Sequence, residues 1–274
     1  MVIDFHTHVF PEKIASKTIA LLAQKSGAVP HTDGTVSGLI ENLEKGGADI
    51  AITLPVVTAP HQFESINRFA LTINRQTPKG SGQLISFGGI HPACEDIEGK
   101  MRFLKENGFL GVKIHPDYQD TFVNDEGYIR ILRASKELDM IVVTHAGVDD
   151  GYTDKPVRCP PELALEVIQK VGHSKFVLAH MGGNRYLEGV YTLLAGQDVY
   201  FDTSFVLPDI GQANFKKMLE KHGEDRILFA TDCPWRDIGE EIARVRSYGL
   251  NKETEEKILW RNAAELLGIS RSNL

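Results

Sequence analysis

Two histidines, His6 and His8, stand one residue apart at the end of the short apolar run VIDFHTH. In a β-strand the side chains at i and i+2 share a face. Both imidazoles therefore project together, with Asp4 beside them. Neutral imidazole is a ligand for zinc and similar divalent ions, so a same-face pair is half of a metal site. Taken alone, the pair also fits a surface strand with solvated histidines. Ligands at matching positions elsewhere in the chain must decide.

The remaining residues with chemical potential recur at one kind of place, the end of an apolar run. His91 closes LISFGGIHP (84–92), Lys113 and His115 close FLGVKIHP (109–116), and His145 closes DMIVVTHAG (139–147). His180 lies in KFVLAHMGG (175–183) and Asp232 in RILFATDCPW (226–235). Six of the ten histidines end such runs, and a purely structural role would scatter them more evenly. A buried ionisable group without a partner costs several kcal/mol, so this clustering calls for a metal or a mutual hydrogen-bond network. Lys113 and His115 are again two residues apart and share a face.

With the runs 2–8, 48–56 and 199–205, these segments make eight predicted strands. Several are continuous apolar stretches rather than alternations, as expected of parallel strands covered on both faces. Helical periodicity appears between them, over 95–108, 160–172, 211–223 and 237–249, each closing on glycine. The segment 251–269 predicts a terminal helix pair on the outside, and 9–34, 56–62 and 148–159 are predicted strand-to-helix loops. Eight strands alternating with helices predict an α/β chain, a (β/α)8 TIM barrel in one domain over 1–274 with an extra C-terminal helix. In such a barrel the strand ends converge on one mouth. A doubly wound open sheet is the alternative, lowered by the lack of a G-x-G-x-x-G after the first strand.

A net charge of −7 argues against nucleic acid as the partner. Three widely spaced cysteines predict neither a disulfide framework nor a cysteine-based zinc site. The sequence shows no signal peptide and no membrane span, so a cytoplasmic protein acting on a small molecule is expected. Cys233 is expected to turn away from the mouth, as a core residue.

The motifs DFHTH, THAG, AHMGG and ATDCPW, in that order, with the ending KILWRNAAELLGI, resemble the amidohydrolase superfamily. The nearest likeness is to its aminocarboxymuconate-semialdehyde decarboxylase-like branch, amidohydrolase family 2. The resemblance runs the length of the chain. It implies that His6, His8, His145 and Asp232 ligate a divalent ion, that Asp232 takes a proton from the water on it, and that His180 orients that water or binds a second ion. One Zn2+ is the expected cofactor; the same ligands suit Mn2+, and a pair of ions is the alternative. In dinuclear relatives a carboxylated fourth-strand lysine bridges the metals. Lys113 has a similar setting but is expected to stay a plain lysine beside a single ion. A deoxyribonuclease-like branch shares GIHP (89–92), but its fourth-strand glutamate has no counterpart in GVKIHP. Lys113, His115, His91 and Arg185 are the candidate substrate contacts, with Arg236 a further arginine able to clamp a carboxylate. Members of the branch are often homodimers. The resemblance implies a metal-dependent hydrolase of a small amide, ester, lactone or related carboxylated compound. Nonoxidative decarboxylation of an aromatic or dienoic acid is the alternative.

Overall fold

A computed structural model describes residues 1–76 and 82–269. The strands are β1 (Ile3–Thr7), β2 (Ile50–Thr53), β3 (Gln83–Ser86), β4 (Gly88–Gly89), β5 (Gly111–Ile114), β6 (Ile141–Thr144), β7 (Phe176–Leu178), β8 (Tyr200–Asp202) and β9 (Ile227–Leu228). The longer helices are α1 (Glu12–Ser26), α2 (Val36–Gly46), α3 (Phe63–Gln76), α4 (Ile97–Glu106), α5 (Glu126–Glu137) and α6 (Pro161–Val171), followed by Leu207–His222 and Ile238–Ser247. A last helical run occupies 252–267. Every strand pair with a defined register is parallel. All positions of β1, β2, β5 and β6 are buried, which is why these segments read as continuous apolar runs. No helix among the described residues is long and apolar enough to cross a membrane.

The strands are shorter than their apolar runs, so His8, His115, His145, His180 and Asp232 sit just beyond strand ends. The predicted strand 84–92 breaks at Phe87 into β3 and β4. Helix α1 fills most of the predicted loop 9–34. Only Ala15 and Ile19 of α1 are buried and no side chain caps its start, so neither periodicity nor capping announces it. The helix expected over 211–223 starts earlier, at Leu207, with a break at Gly211 (φ 65°, ψ 167°) that only glycine adopts readily. The expected terminal pair is one run whose two α-helical parts are joined by a wider turn over Lys257–Arg261. Side-chain caps fix several starts: Asp96, Asp125, Asp237 and Asn251 each accept a backbone N–H of the first turn.

The chain divides into two compact units. The first comprises Met1–Thr53, Thr72–Ile85 and Asp202–Leu274. Its centre is β1. On one side β1 pairs with β2, Ile3 opposite Ile50 and Thr7 opposite Thr53. On the other it lies along residues 229–233: Phe5 N donates to Phe229 O (2.9 Å), Asp232 N to His6 O (2.8 Å) and His8 N to Cys233 O (2.7 Å). The same late segment is flanked by Thr203, whose N donates to Leu228 O at 3.0 Å. The C-terminal run closes on this assembly. Phe229 N donates to Ile258 O (2.9 Å), and Asn262 Nδ2 bonds both Glu224 O (2.7 Å) and Ile227 O (2.8 Å).

The second unit comprises Leu54–Leu71 and Ser86–Phe201. Here β4, β5, β6 and β7 pair in order, with Gly89 opposite Lys113, Lys113 opposite Val143, and Val143 opposite Val177. At Gly111 a Cβ would lie 2.6 Å from the backbone oxygen of Ile141 and 2.5 Å from the Phe87 ring, so glycine there permits close strand contact. One side chain ties the loops together. Gln119 donates from Nε2 to Val57 O and Ile90 O, both at 2.7 Å, and accepts at Oε1 from His115 N (2.9 Å) and the Tyr128 hydroxyl (2.7 Å). All four partners are buried or nearly so, and stranding a buried polar group costs about 1–3 kcal/mol. Gln119→Leu is therefore expected to destabilise the protein by at least about 3 kcal/mol, read from urea denaturation. A loss below about 1 kcal/mol would show that water replaces these bonds.

Candidate metal centre

Three of the four side chains that the resemblance implies as ligands meet in the first unit. His6 Nε2 lies 3.2 Å from His8 Nε2 and 3.5 Å from Asp232 Oδ1. His8 Nε2 lies 3.1 Å from the same oxygen. The pairing of β1 with 229–233 brings them together, since the Asp232 amide bonds the His6 carbonyl. Asp232 has φ 69°, a left-handed conformation that aspartate tolerates better than most residues but that still carries strain. That strained backbone is held on both sides, by the bonds of Asp232 N and His8 N.

Behind His6 stand two residues the sequence reading did not assign. His6 Nδ1 is 2.8 Å from Asp202 Oδ2 and 3.2 Å from Ser204 Oγ. The Ser204 hydroxyl and its amide both donate to Asp202 Oδ1. Asp202 is fully buried at the end of β8. The available signal was a lone acid inside the apolar run VYFDTSF. Asp4, also fully buried, accepts from the amides of His6 (3.2 Å) and Thr231 (3.0 Å) and from the Thr231 hydroxyl. Burial outweighs these bonds and pushes its pKa up to about 7. Cys233 is buried, as expected of a core residue.

Apart from Arg236, the other predicted residues lie in the second unit, where three of them group. His180 Nε2 bonds His145 Nδ1 at 2.9 Å. The His145 ring lies nearly parallel to that of His115, centroids 4.3 Å apart, and His115 in turn stacks on Tyr118 at 3.9 Å. Burial first, then the electrostatic influence of the neighbouring His115 and His180 rings, holds His145 well below its ordinary pKa, so it is neutral and keeps a lone pair. His145 Nε2 and Asp117 Oδ2 face each other at 3.9 Å, and both are buried without a hydrogen-bond partner among the described residues. His180, like Asp232, has a left-handed backbone, φ 59°.

The ligand atoms of His115, His145 and Asp149 also converge. His115 Nδ1 accepts the Tyr118 amide, however, so the neutral ring carries its proton on Nε2 and directs it to Asp149 Oδ2 at 3.3 Å. That geometry describes a hydrogen-bond donor rather than a metal ligand. His91 has the same tautomer, its Nδ1 accepting Ala93 N. Lys113 is fully buried in β5. Arg185 is largely exposed and pairs with Asp150 at 2.7 Å. Arg236 packs over the Phe205 ring at 4.5 Å and bonds the Phe205 carbonyl. Arg158, not singled out from the sequence, pairs with Asp117 and Asp120.

A family model described as Amidohydrolase matches residues 3–269. The chain belongs to the amidohydrolase family. No curated protein matches it in sequence. Among solved structures, 5-carboxyvanillate decarboxylase from Sphingomonas paucimobilis is 13% identical with a TM-score of 0.69, over 98% of this chain and 99% of that one. A dihydroxybenzoic acid decarboxylase from Polaromonas sp. JS666, solved with manganese and 2-nitroresorcinol, is 17% identical, TM-score 0.69, over 100% and 98%. A candidate 2-pyrone-4,6-dicarboxylic acid hydrolase from Pseudomonas putida is 19% identical, TM-score 0.69, over 97% of each chain. At these identities the likeness shows the fold, the (β/α)8 barrel expected from the strand order.

The first group of this amidohydrolase fits a divalent cation. Two imidazole nitrogens and a carboxylate oxygen crowd within 3.5 Å of one another, and such electron-rich atoms repel unless a proton or a cation lies among them. Nitrogen and carboxylate donors suit zinc and manganese alike. In the second unit Asp117 shows its environment through its pKa, pushed up to about 6 by burial and then by the charge of Asp149, against the pull of Arg158. A folded pKa above the unfolded value means that the native state keeps a proton the unfolded chain releases. This contribution is complete below about pH 4 and is lost as pH rises through about 6. Asp117→Asn should therefore lose less stability than the wild type between pH 4 and 6, measured by urea denaturation of metal-free protein. Parallel pH profiles would place Asp117 in a more solvated setting.

Proposed function

We propose that this amidohydrolase is a metal-dependent hydrolase of a small amide, ester, lactone or related carboxylated compound. The observation that carries the reading is the convergence of His6 Nε2, His8 Nε2 and Asp232 Oδ1. A divalent ion held there, Zn2+ by expectation, would polarise a carbonyl and lower the pKa of a water to about 7. The chain's residues position and move protons. Asp232 offers a carboxylate close to the two imidazoles, a suitable proton acceptor. His180 is hydrogen-bonded to a neutral His145 and can pass a proton along that bond. The family resemblance assigns His145 as a further ligand. Lys113, His91, His115 and Arg185 are the proposed substrate contacts, with His115 and Arg185 exchanging Asp149 and Asp150 for an anionic group.

Decarboxylation is the second reading, favoured by the names of the structural neighbours, which include decarboxylases of carboxyvanillate and dihydroxybenzoate. The two readings share the metal ligands and differ in the bond broken. Purified protein is to be stripped with a chelator, reloaded with Zn2+ or Mn2+, and assayed for carbon dioxide release from hydroxylated benzoates and for ring opening of carboxylated lactones. Ring opening without carbon dioxide release supports hydrolysis; the reverse supports decarboxylation; neither, with any metal, removes both. His8→Ala should bind metal at least about 100-fold more weakly, since one of the nitrogens that would hold the ion is lost. His180→Asn should keep its metal and lose turnover by about 100-fold or more, the usual scale for a lost proton-transfer group. Full activity in His180→Asn would reject its proton role.

A further inference from the structure

The hydrogen bonds around His6 determine which of its nitrogens carries the proton. Nδ1 faces two oxygens, Asp202 Oδ2 at 2.8 Å and Ser204 Oγ at 3.2 Å. The Ser204 hydroxyl directs its proton to Asp202 Oδ1, so its oxygen offers His6 only a lone pair. The Ser204 amide donates to that same Oδ1 at 3.1 Å. Both oxygens facing Nδ1 are acceptors, and the hydrogen between them and the ring must come from His6. A neutral imidazole with its proton on Nδ1 has its lone pair on Nε2. That is the nitrogen facing His8 Nε2 and Asp232 Oδ1.

We propose that Asp202, held by Ser204, is a positioning residue that locks His6 in its Nδ1–H tautomer and thereby makes Nε2 the ligand atom. The ligand role rests on the reading of His6, His8 and Asp232 as a metal centre; the tautomer does not. All the atoms involved are buried or nearly so, so water does not compete for Nδ1, and carboxylate–imidazole pairs of this kind both orient the ring and raise its basicity.

The test uses metal-free full-length protein labelled with 15N-histidine. Long-range 1H–15N spectra distinguish the two tautomers, and His6 is assigned by its disappearance in His6→Gln. The expected result is a proton on Nδ1; a proton on Nε2 overturns the proposal, without any need for an Asp202 variant. In Asp202→Asn the two donors of Ser204 draw the amide oxygen to their side, which turns the NH2 towards His6. The ring should then switch to Nε2–H, and affinity for Zn2+ and Mn2+, measured against a chromophoric chelator, should fall by about 10–100-fold. Affinity within about twofold of wild type overturns the positioning role. Ser204→Ala removes a donor to Asp202 but adds none towards His6; it should keep the Nδ1–H form, and a switched tautomer there overturns the assignment. A wild-type protein with Nδ1–H that binds neither ion upholds the tautomer and rejects the metal-dependent reading.

Discussion

Three backbone hydrogen bonds between Phe5–His8 and residues 229–233 are the constraint on which the candidate metal centre depends. His6 and His8 belong to the start of the chain and Asp232 to its last quarter. No local propensity could bring them within 3.5 Å; only strand pairing does. Asp4 reinforces the seam by taking both a backbone and a side-chain bond from Thr231, 227 residues away in sequence. In this arrangement register is chemistry. A slip of one residue would turn the whole β1 set to the other face.

In both units, polar groups are buried at a density that hydrophobic packing alone would not tolerate. Each is accommodated in its own way. Asp202 is answered by His6 and Ser204, Asp4 by Thr231 and the His6 amide. In the second unit Gln119 uses all its bonding capacity on four partners. His145 instead stays neutral, its charge opposed by burial and by His115 and His180. At the buried pair of His145 Nε2 and Asp117 Oδ2, as at Thr53 Oγ1 and Glu241 Oε2, this accommodation is incomplete.

Much of this was legible in the sequence because burial on both faces writes itself as an apolar run, and a polar residue at its end stands out. His6, His8, His145, His180 and Asp232 were found that way, as was the alternation that specifies the barrel. The supporting shell was harder to read. Asp202 and Asp4 lie inside runs rather than at their ends, and a buried acid in a strand has no pattern of its own until its partner is known. Arg158 and Asp117 are loop residues whose pairing depends on chain paths that periodicity does not encode. Helix α1 was missed because it buries so little that its sequence lacks a strong stripe. The proton positions of His6, His91 and His115 were beyond any sequence argument, because each is set by what the other ring nitrogen meets.

The placement of β1 also bears on how the chain is made. Ribosomes release this strand long before residues 229–233, which cover one of its two edges. While the intervening residues are being made, that edge, buried throughout in the finished molecule, presents unsatisfied amides and carbonyls beside Ile3 and Phe5. Exposed strand edges invite pairing with other chains, and contacts this distant in sequence form slowly. A nascent or prematurely terminated polypeptide that ends before Phe229 would therefore be a natural client for chaperones. It would also lack Asp232, so the proposed metal site could be completed only after elongation has passed residues 229–233.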